Sequence, residues 1–492
     1  MGWGMRQIFF LTGAAALLAM PVATQAGGFA SRDQSAVGEG MAFAGEGTPG
    51  MGLSAMFWNP AAVTQVNGVN GWAVEAHVSA SFPHADLTTN PALVTPALQF
   101  LDACTLAGPP PTCDHQGNVL NDRVFPAFYG AYRVTPDWYV GLAVDQPYGF
   151  KSSINPSGVS GFGSIPGPGP SWSGEQLANS ASISSTEVNP TVGWKINDTV
   201  SVGAGVRFLW LKNEFSHSLF PLQIAGSFDS PVNMSADDFG VGFTAGVTWT
   251  PTRATEIALG YRSRMKLTLT GSGFFAPNVG LLVSPVTAPL NGLTAGISGG
   301  LTLPDQLNLG VRQRLTDAWT VLGTIEWTHW SVTQSIPYVA TSGPPVANVF
   351  TSGISAINFN YRDGWYFALG TEYRVLPDTT LRAGIGHETS PINGTLGWVA
   401  LPGGNSTSLS VGLSQKVYKG LTLDLAYSYT WIADQLIVVG PGNPDQAKLI
   451  TIIPGIFNTW GGSYTDQRNQ VVSVGLRYAF EPPPPPLIVK AK

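Results

Sequence analysis

Charged residues are scarce in this chain: Asp, Glu, Lys and Arg make up 11% of its 492 residues, against about 25% for an ordinary soluble protein. A soluble surface of this size would be poorly solvated. Long apolar runs are scarce too, since no internal stretch of ~18 apolar residues occurs, and helical membrane spans are thereby excluded on length. A closed β-barrel remains as the structure that satisfies every backbone group in lipid. The formal net charge of −6 gives no electrostatic reason to expect a nucleic-acid partner. Catalytic patterns are missing as well. The six histidines, His77, His84, His115, His217, His329 and His387, show no paired metal-ligand spacing, and no serine sits in a Gly-x-Ser-x-Gly elbow. No enzyme activity, metal or cofactor is expected. Only two cysteines occur, Cys104 and Cys113, around the turn-forming residues 105–112. In an exported chain they are expected to form a local disulfide, worth up to roughly 2.5 to 3 kcal/mol in the chain-entropy account.

What is present is alternation. In Leu421-Thr422-Leu423-Asp424-Leu425-Ala426-Tyr427-Ser428-Tyr429-Thr430-Trp431 every odd position is apolar or aromatic and every even one small or polar, which is the period of a strand. The pattern recurs at 200–208, 257–262 and 472–480. Fourteen such stretches run from Val69 to Phe480, joined alternately by tight turns, such as Thr135-Pro136-Asp137 and Asn197-Asp198, and by long loops. The expected fold is all-β: a fourteen-stranded antiparallel transmembrane barrel, its short turns and both termini periplasmic and its long loops extracellular.

The flanking segments complete the organisation. Residues 1–26 carry Arg6, an apolar run and a small-residue site ending at Ala26, which reads as a secretory signal; the alternative, a short anchor helix, has too few residues to span. Export plus a barrel implies a bacterial outer membrane, with its lipids, its lipopolysaccharide and the barrel-assembly machinery as partners of a monomer. Residues 27–68 are rich in glycine and small residues, and Phe29, Met41, Phe43, Met51, Met56, Phe57 and Trp58 offer groups for burial, so this segment is expected to plug the 69–480 barrel as a hatch rather than trail as a disordered leader. Residues 481–492 form a proline-rich periplasmic tail.

These features resemble the FadL-type outer-membrane long-chain fatty acid transporter family, which includes aromatic-hydrocarbon channels similar to TodX. The matching stretches are Ser35 to Gly47, Trp58-Asn59-Pro60-Ala61-Ala62, Gly260-Tyr261-Arg262-Ser263, Leu303-Pro304-Asp305, Trp327-Thr328-His329-Trp330-Ser331, Tyr361-Arg362-Asp363 and Arg382-Ala383-Gly384-Ile385 through Pro391, in the family's order. Family members commonly end on the terminal aromatic, whereas here Phe480 is followed by the proline-rich tail. The resemblance implies passive uptake of a long-chain fatty acid or similar hydrophobic compound; a neutral aromatic substrate, or a surface adhesin or phage receptor, are the alternatives.

Candidate site residues fall in three groups. Capture is expected at apolar loop residues Leu219, Phe220, Phe274, Phe275, Leu281 and Leu282, in stretches of low charge. By resemblance, Lys212 and Arg362 would hold a carboxylate; strict alternation aims Lys212 at lipid unless its strand bulges, and gives Arg362 the inward parity. Arg207, Arg262, Arg264 and Lys266 also read as inward-facing, available to pair with carboxylates such as Glu256 and Glu326. Gating is assigned by resemblance to Asn59, Pro60 and Ala61. A lateral exit is expected near Asp145, Pro147 and Gly149, because proline cannot donate to a ladder and glycine weakens the strand beyond it.

Overall fold

The computed structural model describes residues 27–65, 71–94, 115–154, 174–218, 231–275, 293–343, 356–450 and 459–479. Fourteen strands form the ring: β1 Trp72–Thr89, β2 Arg123–Arg133, β3 Trp138–Asp145 with an upper piece Gly149–Ser153, β4 Ser180–Lys195, β5 Val200–Ser218, β6 Pro231–Thr252, β7 Thr255–Arg262 continued by Met265–Phe275, and β8 Leu293–Leu303 continued by Gln306–Arg314. The second half comprises β9 Trp319–Thr328, β10 Gly364–Leu376, β11 Thr379–Thr389, β12 Ser406–Tyr418, β13 Leu421–Ile432 continued by Gln435–Val439, and β14 Trp460–Ala479. All pair antiparallel. β1 pairs with β2 on one side and, from Ala73↔Ala479 to Thr89↔Gly462, with β14 on the other. The sheet therefore closes without a free edge.

Alternation becomes a lipid face and a lumen face. Val206, Phe208, Phe239, Val241, Phe243, Leu369, Leu409, Val411 and Leu476 all point outward and are exposed. Aromatic residues gather at both rims of this band. Trp72, Trp138, Trp194, Trp249, Trp319, Tyr373 and Tyr418 lie by the short turns, and Trp210, Phe239, Trp365 and Trp431 lie nearer the long loops. On β6 the two girdles are separated by the stretch from Phe239 to Trp249, which at ~3.4 Å per residue on a strand tilted about 40° spans ~26 Å, the height of an outer-membrane apolar band.

Residues 27–65 lie inside the ring and are almost entirely buried. They are short turns and 3₁₀ segments, with one four-residue helix at Ala36–Glu39 capped by the Ser35 hydroxyl. Glycines on the lumen face let this backbone lie directly on the wall. A Cβ at Gly203 would collide with Pro60 and Ala61, at Gly260 with the Trp58 carbonyl, at Gly310 with the Glu46 carbonyl, and at Gly384 with the Met41 carbonyl. No other residue type permits that approach.

Two sequence expectations about the strands change. β7 and β8 reach beyond Thr270 to Phe275 and Leu293, so Phe274 is a strand residue opposite Thr294 with an exposed side chain, not a loop residue. β7 also breaks at Ser263–Arg264: Arg262 and Ser263 are consecutively buried, and the alternation resumes shifted, with Met265, Leu267 and Leu269 inward. Arg264 and Lys266 are consequently exposed, correcting their inward assignment.

A candidate site at an interrupted wall and an apolar lumen

The seam between β2 and β3 is incomplete. It runs from Arg133↔Tyr139 to Phe128↔Val144 and then stops. Pairing returns only at the Leu120↔Ser152 bridge and the Asn121 N–H to the Lys151 carbonyl. The register is the same above and below, so residues 122–127 face 145–150 without ladder bonds over ~20 Å of strand. Toward β4 the pairing shifts by one residue, from Asp145↔Glu187 to Gly149↔Ser184, which marks a bulge at 146–148.

The bent segment finds its partners inside the barrel. The Ser31 N–H donates to the Pro147 carbonyl (2.9 Å), the Gly149 N–H donates to the Phe29 carbonyl (2.6 Å), and the Gln34 amide nitrogen donates to the Gln146 carbonyl (2.9 Å). From β4, the Ser185 hydroxyl accepts from the Tyr148 N–H and donates to its carbonyl. Backbone groups removed from the ladder are thus satisfied by residues 29–34, as a low-dielectric wall requires. Arg123, buried on β2, lays its guanidinium against Gly149 and over the Phe125 ring at 4.4 Å.

Below this opening the lumen is ionic. Glu187 on β4 accepts from Arg207 on β5 and Arg262 on β7, each at 2.8 Å, and Arg262 also donates to the Phe57 carbonyl at 2.6 Å and covers the Phe57 ring. One carboxylate thereby ties three strands to the inner segment. Asp145, directly opposite Glu187, is buried with neither oxygen meeting a hydrogen-bond donor. Arg32 is shared by Glu46, Glu326 and Glu388 and stacks on Tyr366 at 3.9 Å. Removing one member of such a buried network strands the others, at about 3–5 kcal/mol.

Asn59 is fully buried. Its amide nitrogen donates to the Gly47 carbonyl, the Val247 carbonyl and the Thr248 hydroxyl at 3.0–3.2 Å, and its oxygen accepts from the Ala61 N–H. Pro60 opens the 3₁₀ segment Pro60–Gln65 that rests on β4, β5 and β6. The Asn-Pro-Ala triplet therefore joins the inner segment to the wall.

Above the opening the lumen is apolar and aromatic. Phe29 touches Tyr148, Trp330, Phe359 and Tyr361 with ring centroids 4.9–6.2 Å apart. Phe359 continues to Trp398, and Trp398 to Phe150 and Phe215. Leu209, Leu211, Met234, Leu267, Leu301, Ile336, Ile357 and Leu401 close around these rings. The chain of aromatics runs from the long-loop end to the bent segment. Two of its polar atoms, the Tyr361 hydroxyl and the Trp398 Nε1, are buried without a hydrogen-bond partner.

Of the sequence-assigned residues, Asp145, Pro147 and Gly149 lie at the interrupted seam, where residues 29–34 meet them, while Asn59, Pro60 and Ala61 lie nearer the short turns, against Gly203, Gly246 and Thr248. Lys212 and Arg362 belong to neither group. On β5 the inward residues are Leu209, Leu211, Asn213 and Phe215, while Lys212 faces outward and pairs with Glu214 at 2.5 Å. Arg362 precedes β10, is exposed, and donates to the Ser390 carbonyl. Its inward parity was counted through residues 359–363, where Asn360 has φ +52° and the chain is not a strand. Glu326 and Glu256 pair with Arg32 and Arg312. Leu219, Phe220, Leu281, Leu282, Cys104 and Cys113 lie outside the described residues, as does the side chain of Phe275. Arg123, Ser185 and Gln34 were not singled out from sequence; the inward parity of Arg123 beside the Pro147 defect was the available signal.

Residues 17–440 match the family described as outer membrane protein transport protein (OMPP1/FadL/TodX). The long-chain fatty acid transport protein of Salmonella typhi is 21% identical over 445 residues, covering 86% of this chain and 92% of its own length. Outer membrane protein P1 of Haemophilus influenzae is 23% identical, with 85% and 88% covered. Among solved structures, a Pseudomonas aeruginosa FadL homologue superposes with a TM-score of 0.74 at 20% identity, covering 92% of this chain and all of that one. The P. putida toluene transporter TodX superposes with a TM-score of 0.62 at 14% identity, covering 91% and 99%. With a closed barrel, a lumen filled by its own N-terminal segment and this match over most of its length, the chain belongs to the OMPP1/FadL/TodX family of outer-membrane transport proteins.

Proposed function

We propose that this barrel passively carries a long-chain fatty acid or similar hydrophobic compound from outside the cell into the outer membrane. The observation that carries the reading is the pairing gap between β2 and β3 at the lower end of a continuous aromatic lumen. A greasy solute captured by the apolar loops would descend past Trp398 and Phe359 to Phe29. It would leave sideways between residues 122–127 and 145–150 when the hatch around Asn59-Pro60-Ala61 shifts, never crossing water. Apolar transfer at about 25 cal/mol per Å² supplies the drive at each stage, and no cofactor or catalysis is involved. In this reading residues 1–26 are removed on export and residues 27–68 are the hatch. The short turns and both barrel ends are periplasmic, the tail at 481–492 is a periplasmic extension, and the protein works as a monomer among lipopolysaccharide and outer-membrane lipids.

A neutral aromatic solute is the second reading. It is favoured by the aromatic lining, by the outward direction of Lys212 and by the exposure of Arg362. Uptake of labelled oleate and labelled toluene by cells carrying this protein as their sole transporter of the class separates the two. Deletion of Pro147, which removes the bulge against β4, is expected to return uptake to the level of cells lacking the protein at unchanged surface abundance. Full uptake by that variant would defeat lateral release.

A further inference from the structure

Among the described residues one lysine is buried. Lys448, on the short helix Gln446–Ile450 between β13 and β14, is 2% exposed. It stands at the upper end of the aromatic lumen, its Nζ 5.5 Å from the centre of the Phe215 ring, and from Phe215 the rings continue through Trp398 and Phe359 to Phe29 in steps of 5.4–5.6 Å. Its counter-charge is Asp445, one turn earlier and 1% exposed, with Oδ1 2.9 Å from the ammonium. That contact lies off the hydrogen-bond direction, and Nζ has no hydrogen-bond partner. An ammonium carries three N–H donors, so charge is balanced here while hydrogen bonding is not.

Asp445 is held in place by other groups. The Asn358 amide nitrogen donates to its Oδ1 at 2.7 Å, and the Asp445 N–H donates to Asn443 Oδ1 at 2.9 Å. Both contacts of the carboxylate, with Lys448 and with Asn358, fall on Oδ1. Oδ2 is thus a spare acceptor beside a spare donor. Stability does not account for such a pair, because apolar residues of the same volume would serve a greasy lumen as well or better. The other titratable group at this ring is His217, stacked on Phe215 at 5.3 Å. Around them Leu449, Ile357 and Trp398 are buried and apolar or aromatic.

We propose that Lys448 and Asp445 form a head-group site at the top of the lumen, and that the head they take is a protonated carboxyl group. A carboxylic acid is donor and acceptor at once. Its carbonyl oxygen accepts from the Lys448 ammonium, while its O–H donates to Asp445 Oδ2. Two carboxyl groups sharing one proton avoid setting two negative charges side by side, and the site as a whole stays neutral. The tail then lies along Phe215, Trp398 and Phe359. A hydrocarbon has no group to offer either residue. The site rests on the transport reading above and deepens it toward an acid over a neutral aromatic solute, supplying the head-group contact that Lys212 and Arg362 do not make.

Purified full-length protein in detergent is equilibrated with radiolabelled oleic acid and, separately, with radiolabelled heptadecene, the same tail without its head. Gel mobility before and after heating shows which variants are folded. Lys448→Met, apolar and close in shape, is expected to bind oleic acid at least about tenfold more weakly, through loss of a hydrogen bond from a charged donor, and to bind heptadecene no more weakly than the wild type. Lys448→Gln takes its place if that variant fails to fold. Equal loss for both ligands, or undiminished binding of oleic acid, overturns the site. Wild-type protein that binds heptadecene and not oleic acid overturns the site alone and selects the neutral-solute reading, whereas binding of neither ligand overturns the transport reading with it.

Discussion

The β5–β6 seam and the β2–β3 seam belong to one barrel and follow opposite rules. The first pairs without interruption from Val200↔Trp249 to Ser218↔Pro231. The second ends at Phe128↔Val144 and resumes only near Leu120↔Ser152. Both cross the same membrane, so the difference lies in what replaces the missing bonds. Among the described residues, the inner segment packs on β5 at Gly203 but makes no hydrogen bond to its backbone. Behind β3, Phe29, Ser31 and Gln34 supply backbone and side-chain partners. A wall in lipid can be open at a place where the protein furnishes its own substitute ladder.

The strongest way to break this comparison is to give β5 the defect that β3 tolerates. Phe208→Pro removes a donor between Val241 and Val188, stranding groups at several kcal/mol in lipid. Loss of folded barrel is expected, read as loss of heat-modifiable mobility and of surface protein; a normally assembled variant would show that the seams are equivalent. Next in size is Glu187→Gln, which leaves Arg207 and Arg262 buried without their carboxylate and is expected to cost about 3–5 kcal/mol in urea unfolding.

A smaller change sharpens the contrast at the hatch. Tyr366→Phe deletes the hydroxyl that donates to the Ala42 carbonyl at 2.7 Å and is expected to cost about 1–2 kcal/mol, with surface abundance retained. The smallest effect is expected at Lys212→Met. An outward lysine paired with an exposed Glu214 contributes about 0–1 kcal/mol, and oleate uptake should be unchanged. A selective loss of oleate over toluene uptake in that variant would restore Lys212 to the binding path.

Strands were legible because a half-buried wall imposes a period of two, as Leu421 to Trp431 illustrates. The interruption near Asp145 was legible for a local reason, namely that Pro147 cannot donate. Side-chain direction was legible only within an unbroken strand. At Ser263–Arg264 one extra residue reverses the alternation, turning Arg264 and Lys266 outward. At Asn360 a left-handed residue ends any count that could reach Arg362. The substitute partners of the bent segment were not legible, because Ser31 and Pro147 are distant in sequence and a backbone bond between them leaves no composition signal. The buried glutamates around Arg32 were equally hidden, being brought together from the inner segment, β9 and β11 by closure of the ring.

The glycine contacts at Gly203, Gly260, Gly310 and Gly384 bear on the girth of the barrel. A backbone seated on bare Cα atoms from β5 around to β11 fits at one circumference only, because close-packed surfaces do not slide past one another without opening voids. The N-terminal segment therefore acts as a gauge: a ring of another width would lift its backbone off these glycines. Wall and filling fix each other's dimensions.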